Sequence, residues 1–513
     1  MATPLHTRLA EALAAARKVA RGHVIRSSDL PRKHREVLLK SEFLTDVIKG
    51  WYLLARPQEK SGDTTVWQGA FWEFMSAYLG DRFGEDYCLS AEVSLDLWVD
   101  ATPSPKQLIV ISGGGGTGTV ELPNSTSILT YADAKNLPAQ RERRHGVLIM
   151  PLAVALCRVA PRYFESSPLN AELALRTARV SEVSRVLLEL SIVAAANRIA
   201  GAYRRMGLEK EAEQLVGDMK AAGFDVVPTN PFPEAKTFLP ASEIIRSPHV
   251  GRIQALWAEM RGLVLDVFPP PEPAARTPEA FFAQLEDIYV HDAYNSLSIE
   301  GYLVTPELIE RIRRGDWNPD DPQDAGERNA MAARGYLEAF KAVKKSIADI
   351  FAGSPPGTVV DRDLQSWYRA LFSPSVTAGI ASAASLAGYR AEPVYIRGSQ
   401  RVPPPRESVP DLMETLFGLL KTEQSGAVRG VLGHFIFVFI HPYMDGNGRI
   451  GRFLMNAMLA SGGYPWTIVR LSERTRYMHA LEKASVEGDI REFAAFLAGE
   501  MKVVWPPPRS SGA

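Results

Sequence analysis

The chain has 513 residues and only two cysteines, Cys88 and Cys157. Two are too few for a disulfide framework, and they lack metal-ligand spacing, so a reducing cytoplasm is expected. A dominant charge is also missing: 58 Lys and Arg against 59 Asp and Glu leave a formal net charge of -1. That balance offers no whole-chain attraction for a polyanion, although a local basic face remains open. Long apolar runs are absent too. The longest, Gly146 to Cys157, is too short to cross a bilayer and contains Pro151. The opening MATPLHTRLAEALAAARKVARG has no apolar h-region, which argues against a secretory signal. No membrane partner is expected. What is present is ordinary for a soluble globular protein, with 46% hydrophobic and 23% charged residues. The length suggests two to four domains.

The first segment, 1–60, reads as helix, short helix, basic helix, then two strands. Leu9, Leu13 and Val19 stripe the first helix and Gly22 ends it. Ser27-Ser28-Asp29 offers caps for a short helix before Pro31. RKHREVLLKSE follows as the basic helix, then LTDVI and WYLLA around a Lys49-Gly50 turn. That order is the pattern of a winged helix-turn-helix. Residues 61–230 read as a mixed α/β region. Within it, LIVISGGGGTGTVEL places strands on both sides of a glycine run. No Lys-Ser/Thr pair and no helix follow the glycines, so a hairpin loop is preferred to a phosphate cradle. Pro228, Pro231, Pro233 and Pro240 mark a boundary, with a linker expected at 231–250. A mainly helical domain is expected over 251–502, and a disordered tail over 503–513.

The segment HFIFVFIHPYMDGNGRIGRFLMNAML, 434–459, carries the chemistry. Val431, Phe435, Val438 and Phe439 predict a buried helix that Pro442 stops near His441. Gly446 and Gly448 permit a backbone in which successive N–H groups converge on an anion. A second helix should start near Asn447 or Gly448, with Arg449 and Arg452 together on one face of its first turn. Two cations at the positive end of a helix dipole are unfavourable by roughly 0.3–1 kcal/mol each. A bound polyphosphate would reverse that sign. Asp445 adds a hard oxygen ligand of the kind that holds Mg²⁺ together with phosphate oxygens. The imidazole of His441 is suited to taking a proton from a hydroxyl near neutral pH.

These twelve residues, His441 to Arg452, closely resemble the signature of the Fic (Fic/Doc) family: His-Pro-Phe, two residues, Gly-Asn-Gly-Arg, two residues, Arg. Tyr443 stands where the family has Phe, and its hydroxyl should need a partner. The resemblance extends loosely over about 250–500 and implies a mainly α Fic-type domain with a β-hairpin flap. It implies His441 as general base, Asp445 as the Mg²⁺ ligand, and Gly446, Asn447 and Gly448 lining the anion nest. Arg449 and Arg452 would grip the polyphosphate, and Tyr477 would lie near the nucleotide. The implied reaction moves AMP from ATP to a Tyr, Thr or Ser hydroxyl of a protein and releases pyrophosphate. The resemblance also allows a homodimer.

Two accessory features go with it. Val394-Tyr395-Ile396-Arg397 and Gln400-Arg401-Val402-Pro403 flank Gly398-Ser399, which favours a two-residue type II′ hairpin. It resembles the family's flap, which registers a target segment by strand addition. Ser296-Leu297-Ser298-Ile299-Glu300-Gly301 resembles the family's inhibitory motif, with Ser296 and Glu300 on one helical face. The N-terminal half resembles the winged-helix region of abortive-infection-type antitoxins, which implies duplex DNA as a partner through residues such as Lys33, His34 and Arg35. Competing readings are another transfer on the same fold (UMP, phosphocholine or kinase chemistry) and a DNA-binding regulator whose Fic domain is degenerate.

Overall fold

The computed structural model describes residues 5–54, 65–101, 105–243, 245, 247–271, 277–317, 327–396 and 398–505. The chain divides into two units, Met1–Gly251 with Tyr395–Val402, and Arg252–Val394 with Pro403–Ala513. Arg397 and the tail from 506 onward lie outside the described residues. Among the described residues, no helix is long and apolar enough to cross a membrane.

The first unit opens with helix α1 (Leu5–Val19), strand β1 (Val24–Arg26), helix α2 (Arg32–Lys40) and strands β2 (Leu44–Ile48) and β3 (Trp51–Leu54). The expected short helix before Pro31 is not there. Val24 and Ile25 are buried in β1, which pairs antiparallel with β3, and residues 27–30 only turn. Arg35 explains the turn, because its guanidinium donates to the carbonyls of Ser27 and Leu30. The sheet order is β1-β3-β2, with Gly50 at φ +89 in the expected turn between β2 and β3.

Next come α3 (Thr65–Phe83), β4 (Tyr87–Leu89), α4 (Ala91–Trp98), β5 (Gln107–Ser112), β6 (Gly118–Leu122), β7 (Thr126–Ala132), β8 (Glu142–Arg144) and β9 (Val147–Ile149). Strands β5 and β6 flank the glycine run but do not form the expected hairpin. The order is β4-β5-β7-β6, so β7 lies between them, parallel to β5 and antiparallel to β6. The tight turn sits instead between β6 and β7. There Asn124 and Ser125 both adopt positive φ (57 and 56) and Thr126 N–H donates to Pro123 O, a type I′ geometry. The glycine run is a crossover between separated strands.

Six helices complete this unit: α5 (Leu152–Arg158), α6 (Arg162–Ser166), α7 (Pro168–Thr177), α8 (Val180–Leu190), α9 (Val193–Arg205) and α10 (Glu209–Ala221). The proline-rich stretch after them is strapped onto these helices rather than bare. Phe232 and Leu239 are buried. The fully buried Glu172 pairs with Arg176 at 3.1 Å and Lys236 at 3.3 Å, and accepts from Leu239 N–H at 2.9 Å. A carboxylate taken out of water needs such partners, and the strap supplies two of them.

The second unit is helical: α11 (Pro248–Val267, whose first residues count with the other unit), α12 (Pro278–Ile299), α13 (Pro306–Arg314), α14 (Glu327–Phe351), α15 (Pro356–Thr377), α16 (Val409–Thr422), α17 (Gly426–Ile440), α18 (Asn447–Ala460), α19 (Arg474–Glu487) and α20 (Arg491–Glu500). Helix α17 is apolar on nearly every side and is buried along almost its whole length. Glycines let α17 and α18 approach closely. A Cβ on Gly451 would lie 2.7 Å from His434 Nδ1, and one on Gly430 2.7 Å from the Leu459 side chain. Gly335 does the same for α14, since a Cβ there would run into the backbone carbonyl of Leu371 on α15.

This contact separates two substitutions of one chemical type. Gly335→Ala gains about 1 kcal/mol of helix propensity but meets a backbone atom that cannot swing away, at the upper end of the roughly 1–3 kcal/mol cost of overpacking. Urea unfolding should show it about 2 kcal/mol less stable. Gly418→Ala on α16, where a Cβ meets nothing within 4 Å, should be more stable by about 0.5–1 kcal/mol.

Candidate active site

The site grows from the junction of α17 and α18. Ser425 caps α17 by accepting from Val428 N–H at 3.3 Å. The helix ends at His441, which is left-handed at φ 53, ψ 59. Pro442 stops the helix there, because its ring disfavours a right-handed α conformation at the residue before it. A left-handed non-glycine residue is costly and persists only when its surroundings over-determine it. Here His441 N–H donates to Phe437 O at 3.0 Å, and Arg390 holds the other side. Arg390 Nε donates to His441 O at 2.9 Å, and its N–H to Pro442 O at 2.9 Å. The same buried guanidinium donates to the carbonyls of Glu392 and Pro404. His441 Nδ1 lies 3.4 Å from Val438 O, a placement that favours the proton on Nδ1 and leaves Nε2 as the basic nitrogen.

The loop after His441 is fixed from within. Asn447 accepts from Tyr443 N–H at 2.9 Å and donates to Tyr443 O at 2.8 Å. Its side chain is therefore the clasp of the loop. Tyr443 lies flat on Tyr368, with centroids 3.7 Å apart, and its hydroxyl donates to Gln365 at 2.8 Å. That is the partner its extra oxygen needs. Gly446 is required twice: φ is +84, and a Cβ would lie 2.7 Å from the Phe372 ring.

Helix α18 then starts at Asn447 with no side-chain cap. The N–H groups of its first turn have no partner within the helix, which makes this end a natural anion site. Arg452 lies beneath it, buried. Its Nε donates to Ser296 Oγ at 3.0 Å, and its NH2 to Ser296 O at 2.9 Å and to Glu300 Oε1 at 2.7 Å. Its NH1 is buried and makes no hydrogen bond among the described residues. Burial works against this charge, but the Glu300 carboxylate, with Tyr477 and Tyr336 beyond it, more than compensates and raises the guanidinium's pKa above its ordinary value. The same Glu300 oxygen sits over Gly448, where any Cβ would collide with it. The second motif glycine thus leaves room for an anionic group, and a carboxylate fills that room.

Arg449 pairs with Asp445 at 3.1 Å; its own side chain is 1% exposed, whereas that of Asp445 is 56% exposed. Asp445 Oδ1 also accepts from Gly446 N–H at 2.6 Å, while Oδ2 makes no hydrogen bond among the described residues. One exposed carboxylate suits Mg²⁺ when phosphate oxygens and water complete the shell. The residues present therefore fit that ion, although the described residues form no cluster of three acidic, His or Cys ligands.

Tyr477, expected near a nucleotide, is buried next to Arg452. It is 2% exposed, its hydroxyl is 2.7 Å from His434 Nε2, and its ring packs against Phe493 and Phe496. Burial, with Arg452 next to it, lowers the pKa of His434 to about 3, so the imidazole is neutral. Val394, Tyr395 and Ile396 form no strand, and Arg397 lies outside the described residues. Ser399 N–H donates to Ile396 O with Gly398 at φ +76. This puts glycine at the third position of the turn and not at the second, where a type II′ turn needs it. Tyr395–Val402 counts with the first unit, where the Tyr395 ring covers Gly69 on α3.

Sequence reasoning missed Arg390, Tyr302 and the pair Asp292–Tyr336. The buried Asp292 accepts from the Tyr336 hydroxyl at 2.7 Å, and burial lifts its pKa to about 6 against the pull of Tyr336 and Arg452. A lone arginine in GYRAEP carries no pattern. Tyr302 was legible in principle, because a residue just past a helix-ending glycine folds back onto the last turn.

A histidine beside an uncapped helix N-terminus and a buried arginine make an arrangement that could receive a phosphate. Residues 361–459 match the model of the Fic/DOC family, and the chain carries a Fic/DOC domain there. "Protein adenylyltransferase Fic" of Drosophila mojavensis is 40% identical over 114 residues, 21% of this chain and 22% of that protein. Its namesake in Drosophila grimshawi is 41% identical over 114 residues, 21% of this chain and 23% of that protein. The chain thus spans less than a quarter of the length of these curated relatives. A Fic-1 fragment from C. elegans aligns in structure with a TM-score of 0.35 and 17% identity, over 64% of this chain and 89% of that one, a likeness too loose to bear on function.

Tyr443→Phe should keep the stack on Tyr368 and lose only the bond to Gln365. Chemical denaturation should find it less stable by about 1 kcal/mol. Tyr443→Ala, which also empties the ring's volume, should cost about 3–5 kcal/mol.

Proposed function

We propose that the C-terminal unit transfers AMP from ATP to a Tyr, Thr or Ser hydroxyl of a target protein, and that Glu300 holds it inactive at rest. One observation carries the reading: the Glu300 carboxylate lies on Arg452 and over Gly448, at an uncapped helix N-terminus one loop away from His441. A carboxylate there stands in for a phosphate. It uses the guanidinium and the helix dipole that a polyphosphate would use.

With Glu300 displaced, Arg452 and the first-turn N–H groups of α18 would bind the β- and γ-phosphates and turn the α-phosphate toward His441. His441 Nε2 would take the proton as the target oxygen forms its bond to the α-phosphorus. The bond from that phosphorus to the bridging oxygen would break, and pyrophosphate would leave. Arg390 would keep the imidazole in place through the His441 and Pro442 carbonyls. Asp445, steadied by Arg449, would hold Mg²⁺, whose role when bound is to neutralise phosphate charge. Positioning and charge neutralisation dominate such a transfer.

A second role is favoured for the first unit. The order β1-β3-β2, with α2 ahead of the β2–β3 hairpin, suits a winged helix bound to duplex DNA. Arg32 and Lys33 are exposed on α2, whereas Arg35 is committed to the turn before it. The expected result is DNA binding by the full chain that falls steeply with added salt and weakens in Lys33→Ala. No binding at low salt would make this a protein-binding module.

Labelled ATP tests the main reading. Glu300→Gly should raise self- or target-modification by about 10²-fold, because a small misplacement of the α-phosphate costs that much. Glu300→Gly/His441→Ala should be inactive while still binding ATP. Equal labelling by wild type and Glu300→Gly would remove the inhibitory role. Label from UTP, or only from the γ-phosphate of ATP, would assign a different transfer.

A further inference from the structure

Helix α12 ends in a defined stop signal. Gly301 adopts φ +87, its N–H donates to Ser298 O at 3.0 Å, and Tyr302 N–H donates to Leu297 O at 3.2 Å. These are the two bonds of a Schellman cap, with Glu300 as the last helical cap residue. The cap fixes where the chain goes next. Asn329 on α14 accepts from Leu303 N–H at 3.2 Å, which pins the segment from the other side. Tyr302 is thereby laid on Arg449, with the guanidinium 4.9 Å from its ring centroid. The Phe372 ring, 5.1 Å away, also covers the guanidinium. Arg449 is all but sealed from water, its Nε makes no hydrogen bond among the described residues, and its NH2 donates to Asp445.

A cation stripped of water is held by what surrounds it, and an aromatic face is worth up to about 2 kcal/mol when desolvated. Phe372 belongs to α15 and is a fixed wall of the domain. Tyr302 belongs to the two-residue continuation of the inhibitory helix. Arg449 in turn is the one side chain that holds the Asp445 carboxylate, whose other bond is to its neighbour's N–H.

We propose that Tyr302 is a positioning residue: it holds Arg449, and through it the Asp445 carboxylate, so that the segment bearing the inhibitory Glu300 also builds the cation-binding side of the site. The segment has two effects of opposite sign. Glu300 blocks the polyphosphate, whereas Tyr302 supports the residue that would hold its Mg²⁺. The proposal rests on the nucleotide-transfer reading of the site, but its structural half does not.

Two measurements test it. The first needs no nucleotide. Thermal unfolding of the full chain is compared for Tyr302→Leu, Asp445→Asn and the double variant. Non-additive shifts in midpoint are expected if Tyr302 and Asp445 act through Arg449; additive shifts would overturn the strut. The second uses calorimetry in a Glu300→Gly/His441→Ala background that cannot turn over. Tyr302→Leu should weaken binding of ATP with Mg²⁺ about tenfold and leave binding of ATP in EDTA unchanged. Tyr302→Phe, which keeps the ring, should match its parent in both. Unchanged or tighter binding of Mg²⁺–ATP by Tyr302→Leu would overturn the proposal and make Tyr302 part of the block. If the parent binds no ATP while the unfolding shifts are non-additive, the strut stands and the adenylyl-transfer reading falls.

Discussion

The C-terminal unit is organised around the charge of Arg452. A guanidinium buried to this degree costs several kcal/mol unless paired and hydrogen-bonded. Both its Nε and its NH2 are served by Ser296, and NH2 also meets Glu300, all from the end of α12. A helix nearly 150 residues upstream of the motif is thereby docked onto it by charge rather than by shape alone. The remaining donor, NH1, meets no hydrogen-bond acceptor among the described residues. A buried group in that state is a standing demand for an acceptor, and it lies next to Gly448.

The backbone imposes the second constraint. Pro442 stops α17 at His441, which turns out in a left-handed conformation, and the loop must return within five residues to start α18. Asn447 closes that loop by gripping both polar groups of the Tyr443 backbone, and Arg390 holds the two carbonyls just before it. The conformation is thus fixed from both sides. The helices meet closely only because Gly430 and Gly451 offer no side chain at their contact. A neutral His434 then packs on Gly451 and anchors Tyr477 behind Arg452. The motif residues His441, Asn447, Gly451 and Arg452 are in this sense one mechanical part.

Much of this was legible where one residue type had one physical use. The helix stop at Pro442, the glycine turn at 446 and the clash of like charges at the start of α18 all pointed to the same place. The clash is resolved in the structure by two carboxylates, Glu300 for Arg452 and Asp445 for Arg449. Legibility failed where a short segment could bond in two ways. The glycine run between β5 and β6 reads as a hairpin until β7 inserts between them, and strand order is a long-range choice. Residues 27–30 offer helix caps, yet Arg35 uses their carbonyls for a turn. Val394 to Ile396 alternate like part of a strand but form none, and among the described residues of 394–402 only Arg401 makes a bridge. Tyr477 could have faced a ligand or the core, and only the placement of His434 decides between them.

On the adenylyl-transfer reading, the resting contact is easy to reverse, and the reason lies in who holds Arg452. Ser296 makes two of its bonds from within α12, and those bonds do not depend on Glu300. Glu300 sits one residue past the end of α12, at the cap, where Gly301 ends the helix and the carboxylate is partly open to water. Moving it needs a change of side-chain rotamer and not the unwinding of a turn. The guanidinium would stay aimed while the carboxylate leaves, and Asp292 behind it would remain as a counter-charge until phosphate arrives. A monovalent carboxylate competes with a polyphosphate for one arginine and one helix end, and it is favoured only because it is tethered. Whatever binds elsewhere and draws the end of α12 aside by the length of a side chain would shift that competition, whereas Tyr302, held by its own backbone bonds, could remain where it is.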